Sequence, residues 1–283
     1  MASEHDAKPI KDTLQEYGKG VAGGLLFSFP LLYTMEVWWR GFTASPFALL
    51  LLVLVTFFLL IAYNRYAGLR ADASWHEIII DSVEEMGIGF TLSFAVLAML
   101  NRIQLTEMSV EEVLGKVVIE AMAVSIGVSI GTAQMGIEER SGKHEDEEVN
   151  EKRSAKAHVA VLALCGSLIV GGNVAPTEEI TTIAVEASPA DILVIALVSI
   201  FISAMVAYFI NSRREERAKR SDFVFHLVFD TCMSYSIALV VSAFVLWFFG
   251  HFGGVGTWLI FAKVIALGLL SSLGASAGRL LIK

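Results

Sequence analysis

The chain has 283 residues, of which 55% are hydrophobic and 18% charged, with a mean hydropathy of +0.65. Soluble domains sit nearer ~45–50% apolar and ~25% charged, so an ordinary water-soluble fold is excluded. The net charge of −8 is no guide to orientation, which follows Lys and Arg rather than the total.

In chain order, a polar tail (1–19) leads into eight apolar segments, at 20–39, 45–64, 78–100, 113–135, 157–175, 190–210, 223–249 and 257–281. Each is long enough for a bilayer-spanning helix, which needs about 20 mostly apolar residues. The tail lacks a short basic stretch running straight into an apolar one, so no cleavable signal is expected and the first span is retained. With eight spans, 17 of the 21 Lys and Arg fall on one side of the membrane. Basic residues mark the cytoplasmic side, so both termini are expected there. Trp38, Trp39, Trp247 and Trp258 fall near the other ends of spans and Trp75 near an inner end, as interfacial anchors do. Cys165 and Cys232 both lie inside predicted spans, which argues against a disulfide framework or a zinc site.

The chain also resembles itself. SIGVSIG (125–131) and SLGASAG (272–278) place Ser and Gly at the same positions, 147 residues apart, and Lys116-Val117 meets Lys263-Val264 at the same shift. At a shift of 149, Asp81 meets Asp230 and Ser93 meets Ser242; at 143, Ala44-Ser45-Pro46 meets Ala187-Ser188-Pro189, and Glu36 meets Glu179. The shift changes only across connections, where insertions are tolerated. The expectation is an all-α transmembrane bundle of eight helices, built from two tandem four-helix repeats, 20–135 and 157–283. Four is even, so the repeats have parallel orientation and a pseudo-two-fold axis along the membrane normal. The segment joining them (136–156) is charge-dense and is expected to be a cytoplasmic linker.

Small residues four apart leave a groove along a helix into which another backbone fits. Ser125, Gly127, Ser129 and Gly131, and their counterparts Ser272, Gly274, Ser276 and Gly278, therefore suit helix packing, with the two grooved helices crossing near the pseudo-axis. Thin helices with hydroxyls can also line a narrow polar path.

Ionisable residues within spans are the functional lead, because such groups cost about 2.5–3.5 kcal/mol on insertion scales and face the protein interior. An outer layer holds Glu36, Glu179, Lys116 and Lys263. Lys116 has Glu120 one turn along its helix; Lys263 has Leu267 there, so Glu179 is its expected partner. An inner layer holds Asp81, Glu84 and Glu85 on one helix face, and Asp230 with His226 one turn before it. Carboxylates of this kind can enclose a vestibule that attracts cations or carries protons, or they can reach the interface and pair with basic loops. Pro30 removes a donor in mid-span and should kink or break the first helix; Pro176 should end the fifth.

HExxH, GxxxxGK[ST] and Cys/His clusters are absent from the sequence, so an enzyme is not expected, and no cofactor, metal or nucleic-acid partner either. The expected surroundings are the lipid bilayer, with a cation or proton as substrate and a homo-oligomer as a further option. The expected function is a transport protein, channel or carrier, with its path between the repeats. A sensor or assembly scaffold acting through the cytoplasmic segments is the alternative.

The stretch FSFPLLYTMEVWW, from Phe27 to Trp39, together with the eight spans and the charged central linker, resembles a family of bacterial integral membrane proteins known only by an unknown-function label. The resemblance covers nearly the whole chain. It implies a bacterial inner membrane and eight spans, and it brings no activity or site residues.

Overall fold

A computed structural model of the chain describes residues 10–68, 73–135, 151–214 and 220–280. The described residues form ten α-helices: α1 (Ile10–Leu32), α2 (Met35–Thr43), α3 (Pro46–Tyr66), α4 (Trp75–Met99), α5 (Val110–Met135), α6 (Glu151–Val174), α7 (Glu179–Glu186), α8 (Pro189–Arg214), α9 (Arg220–Phe248) and α10 (Thr257–Leu280). Seven are long and apolar enough to cross a membrane. The first predicted span is the exception, because it is two helices: Tyr17–Leu32 and Met35–Thr43 meet at 83°, the geometry of a broken span or of a re-entrant loop.

Local chemistry sets these boundaries. α1 runs through Pro30 for two more residues and then stops. The Pro30 carbonyl accepts from the Tyr33 amide (3.3 Å) and the Thr34 hydroxyl (2.6 Å), which closes the turn at which the chain bends. α6 ends at Val174, and Ala175-Pro176-Thr177-Glu178 separates it from α7. α3 opens on Ser45, whose hydroxyl accepts from the Ala48 amide, with Pro46 in the first turn. Ser188 and Pro189 open α8 in the same way, with Asp191 reaching back to Ser188. Ser74 and Glu77 make a reciprocal capping box at the start of α4, which satisfies donors that an apolar setting would leave bare. Of the expected linker 136–156, residues 136–150 lie outside the described residues and 151–156 begin α6.

α5 is the centre of the first five helices, packed by α1, α2, α3 and α4; α10 is packed by α6, α7, α8 and α9 in the same pattern. Within their apolar windows, 78% of α5 and 61% of α10 is buried, against 28% of α3 and 22% of α8. α3 and α8 are the outer helices and present Leu50, Leu54, Phe58, Leu193, Leu197 and Phe201 to lipid. The two sets meet chiefly where α6 packs on α3, α1 and α5.

The Ser/Gly stripes govern this packing, but with partners other than each other. A Cβ on Gly23 would lie 2.5 Å from Gly131 Cα and 2.7 Å from the Gly127 carbonyl. The α5 groove is thus filled by α1. The α10 groove is filled by α6, where Gly166 meets Gly274 and Gly278 backbone to backbone. Each grooved helix contacts the first helix of its own set, and the expected crossing of α5 with α10 gives way to these two closer pairs. In lipid, such van der Waals contact is a principal force between helices. Ser125 and Ser272 satisfy their hydroxyls on carbonyls of their own helices, Ala121 and Leu269.

Gly23→Ala should therefore overpack the α1–α5 contact and destabilise the protein by about 1–3 kcal/mol. Gly18→Ala, on the same helix with open space around it, should leave stability unchanged or slightly raised. Thermal unfolding of the two variants in detergent compares them directly.

Candidate functional site

Asn64, near the end of α3, is the hub of a buried polar cluster. Its Nδ2 donates to Glu85 Oε2 (2.9 Å) and to Ser82 Oγ (3.1 Å), both on α4, and its Oδ1 accepts from Ser129 Oγ (3.1 Å) on α5. Both amide hydrogens and the carbonyl are committed, so the amide cannot flip without breaking a bond. Ser82 passes its own proton to the Ile78 carbonyl. Glu85 is 9% exposed, and Tyr63, Ile126, Ile130 and Cys165 of α6 form the apolar core beside the cluster. A carboxylate is thus held by one amide inside an apolar span, where three helices of the first set meet the first helix of the second. Glu84, on the exposed side of α4, accepts from the Tyr17 hydroxyl of α1, and Asp81 lies one turn before Glu85, half-buried.

A second carboxyl lies deeper. Glu120 is 0% exposed, near the middle of the apolar stretch Val110–Ala133. Both its oxygens are buried without a hydrogen-bond partner, and so are Thr56 Oγ1 on α3 and Ser93 Oγ on α4. By helical spacing Glu120 falls on the α5 stripe whose Val124, Gly127, Val128 and Gly131 face α1.

The lysines do something different from what their charge suggests. Lys116 Nζ donates to the Arg102 carbonyl (2.9 Å) and sits 4.3 Å from the centre of the Phe42 ring. Lys263 Nζ donates to the His251 carbonyl (3.3 Å). Each acceptor is the last residue of a Schellman turn. After α4, Arg102 N donates to Leu97 O and Asn101 N to Ala98 O, with Asn101 at φ 56°. After α9, His251 N donates to Leu246 O and Gly250 N to Trp247 O, with Gly250 at φ 83°. The left-handed residue at that position is what the turn requires, and Asn tolerates it nearly as Gly does. An ammonium here also meets the negative end of the helix dipole. The expected carboxylate partnerships are corrected accordingly: Lys116 leaves Glu120 unpaired, and Glu179 is exposed at the surface, where the Thr177 hydroxyl holds its carboxyl below the usual range. His251 Nδ1 lies 3.3 Å from the Thr181 hydroxyl of α7, and burial, then the Lys263 charge, pushes its pKa down.

Of the other residues singled out in sequence, Glu36 is half-buried in α2 and Asp230 half-buried in α9. His226 falls in α9, but its side chain lies outside the described residues. α4, which carries the first inner acidic face, packs on α5, α3 and α1, and α9, which carries the second, on α10, α6 and α8. The cavity at the junction of the two sets, about 50 Å³, is lined by Leu31, Thr56, Met122, Leu168, Phe244 and Phe248 among others, and by no carboxylate. Among the described residues no group of His, Cys, Asp and Glu could hold a metal ion. Asn64, Thr56 and Ser93 were passed over in sequence because they carry no charge; an Asn at the end of the run LLIAYN was the available signal.

Long apolar helices packed through glycine, with polar groups turned inward and aliphatic faces turned out, define a polytopic helical integral membrane protein. The chain belongs to the DUF2391 family of integral membrane proteins, whose model matches residues 16–282 and whose description gives no activity. Comparison with curated proteins and with solved structures gave no match.

Lys263→Met should lower the thermal midpoint, because the His251 carbonyl loses its donor. Adding Glu179→Gln should leave that loss unchanged; recovery in the double variant would revive the ion pair. His251 also gives a pH signature. Its folded pKa is depressed, so the unfolded chain binds more protons as the pH falls below about 6.5, and the stability this group supplies is lost through its folded pKa. The thermal midpoint of wild type relative to His251→Gln should therefore fall between pH 7.5 and pH 5.5.

Proposed function

We propose that the protein is a membrane transporter for a cation or protons, with its site at the Asn64–Glu85 cluster and no catalytic residue. The observation that carries this reading is a carboxyl group held inside an apolar span by an oriented amide. An intramembrane carboxyl costs about 2.5–3.5 kcal/mol and marks ion or proton routes by default. Asp81 and Glu84 lie toward the open end of the same helix and give the site an acidic approach. The cluster faces α6, so the route runs between the two sets of helices.

The architecture behind this is a tandem duplication with parallel halves. Its support is the repeated element order, the Ser-Pro starts of α3 and α8, the paired Gly contacts, and two lysines donating to equivalent turn carbonyls. The halves differ in polar content: the counterparts of Asn64, Glu85 and Glu120 are Ala207, Ser234 and Leu267. One half carries the site, and the other repeats its scaffold. The basic-residue distribution favours an inner membrane with both termini and the 136–156 linker in the cytoplasm.

Flux into proteoliposomes, measured with a pH-sensitive dye and a panel of monovalent cations, tests the reading. Glu85→Gln should reduce flux more than tenfold while the thermal midpoint stays within a few degrees, and Asn64→Ala should reduce it less. Unchanged flux in Glu85→Gln would remove the site. A wild type inactive with every ion would shift the weight to a sensor or scaffold working through the charge-dense linker.

A further inference from the structure

We propose that Glu120 is a proton-binding carboxyl at mid-membrane, neutral at rest, and that the ion moved or coupled is a proton. The coupling rests on the transport reading; the bound proton stands on the geometry alone.

The surroundings leave no other way to hold this group. A carboxylate with both oxygens buried and unpartnered is the least favourable state such a group can occupy, whereas a neutral carboxyl is tolerated. No cation compensates it. On α5, Lys116 one turn away commits its ammonium to the Arg102 carbonyl and the Phe42 ring. From α2 come Glu36, a like charge, and Arg40, which stacks on Phe248. The buried face of α1 offers Ser28, already donating to the Gly24 carbonyl, with Lys19 at the far end of the contact against Gly131. α3 from Pro46 to Ala62 and α4 from Met86 to Met99 contain no Asp, Glu, Lys, Arg, His, Cys or Tyr. Among the side chains of α6 that are described, from residue 157 on, the titratable ones are His158 and Cys165.

A structural role does not explain the residue. In α10 the equivalent position is Leu267, also 0% exposed, so a bundle of the same pattern closes with an apolar side chain there. Glu120 keeps an ionisable group where the fold does not need one. Proton loss requires a proton acceptor, such as water, to reach it, and the place where packing can give is directly adjacent: Ile119 and Ala123, its neighbours on α5, line the junction cavity together with Thr56, whose hydroxyl lacks a partner. Movement of α1 at the bend beyond Pro30 would open the α1-facing stripe on which Glu120 lies. The step is a proton transfer alone: the carboxyl gives its proton to the entering water and regains one from the opposite side.

The test is infrared spectroscopy of the full chain in lipid, with Glu120→Gln and Glu120→Leu, alongside proton flux in the same vesicles. Wild type at pH 7 should show the carbonyl stretch of a protonated, non-hydrogen-bonded carboxyl, shifted in heavy water and missing from both variants. Both variants should fold with a thermal midpoint at or above wild type, and both should lose proton flux more than tenfold. Absence of the band would show Glu120 ionised and overturn the proposal. Band present but flux unchanged in both variants would overturn the coupling. Band present in a wild type that moves no ion would uphold the bound proton while the transport reading falls.

Discussion

How closely α1 approaches α5, and α6 approaches α10, decides everything else in this bundle. In water the hydrophobic effect would press these helices together. In lipid the tails are as apolar as the side chains, and contact distance matters more. Gly23 against Gly127 and Gly131, and Gly166 against Gly274 and Gly278, bring backbones to a separation that no Cβ allows. Once those pairs are fixed, α5 and α10 become central, and the remaining helices have only one side of each on which to pack. The polar groups that sit on α5, from Lys116 through Glu120 to Ser129, are buried because α5 is.

That order explains why polar chemistry is uneven around the molecule. On the α3-facing and α4-facing sides of α5, Asn64 can reach three partners at once and saturate its amide. On the α1-facing side the glycine contact excludes side chains, so a long residue just beyond it meets only aliphatic neighbours and backbone already in use. Glu85 and Glu120 thus occupy contrasting environments on helices that touch, one anchored by hydrogen bonds and one bare.

Much of the fold was legible in the amino-acid order. Apolar length placed seven of the spans within a few residues, Pro30 announced the break in the first, and the Ser/Gly stripes announced close packing. What stayed hidden depended on neighbours. The stripe says that a backbone comes near but not which one, so α1 and α6 could not be told from α10 and α5. Lysine partners were sought among acids because charges are visible in a sequence; the acceptors turned out to be main-chain carbonyls, which every residue carries and no letter records. The spacing of Lys116 and Glu120, one helical turn, put them on one face, yet the ammonium reaches toward the end of the helix and the carboxyl stays inside. Asn64 went unnoticed for the opposite reason: its importance comes from three contacts made by the fold, while alone it is one neutral residue near a helix end.

The lysine-capped turns carry a consequence for how such a chain can vary. Lys116 and Lys263 are tied to geometry, since the carbonyl of a left-handed turn remains in place whatever side chains surround it. A change at Glu120 leaves the Lys116 bond intact, and a change at Lys116 leaves Glu120 as solitary as before. Neither residue bonds the other, and each acts through its own surroundings. The turn therefore does not depend on the acid: Lys263 makes the corresponding bond to the His251 carbonyl with Leu267 one turn along its helix, where Lys116 has Glu120.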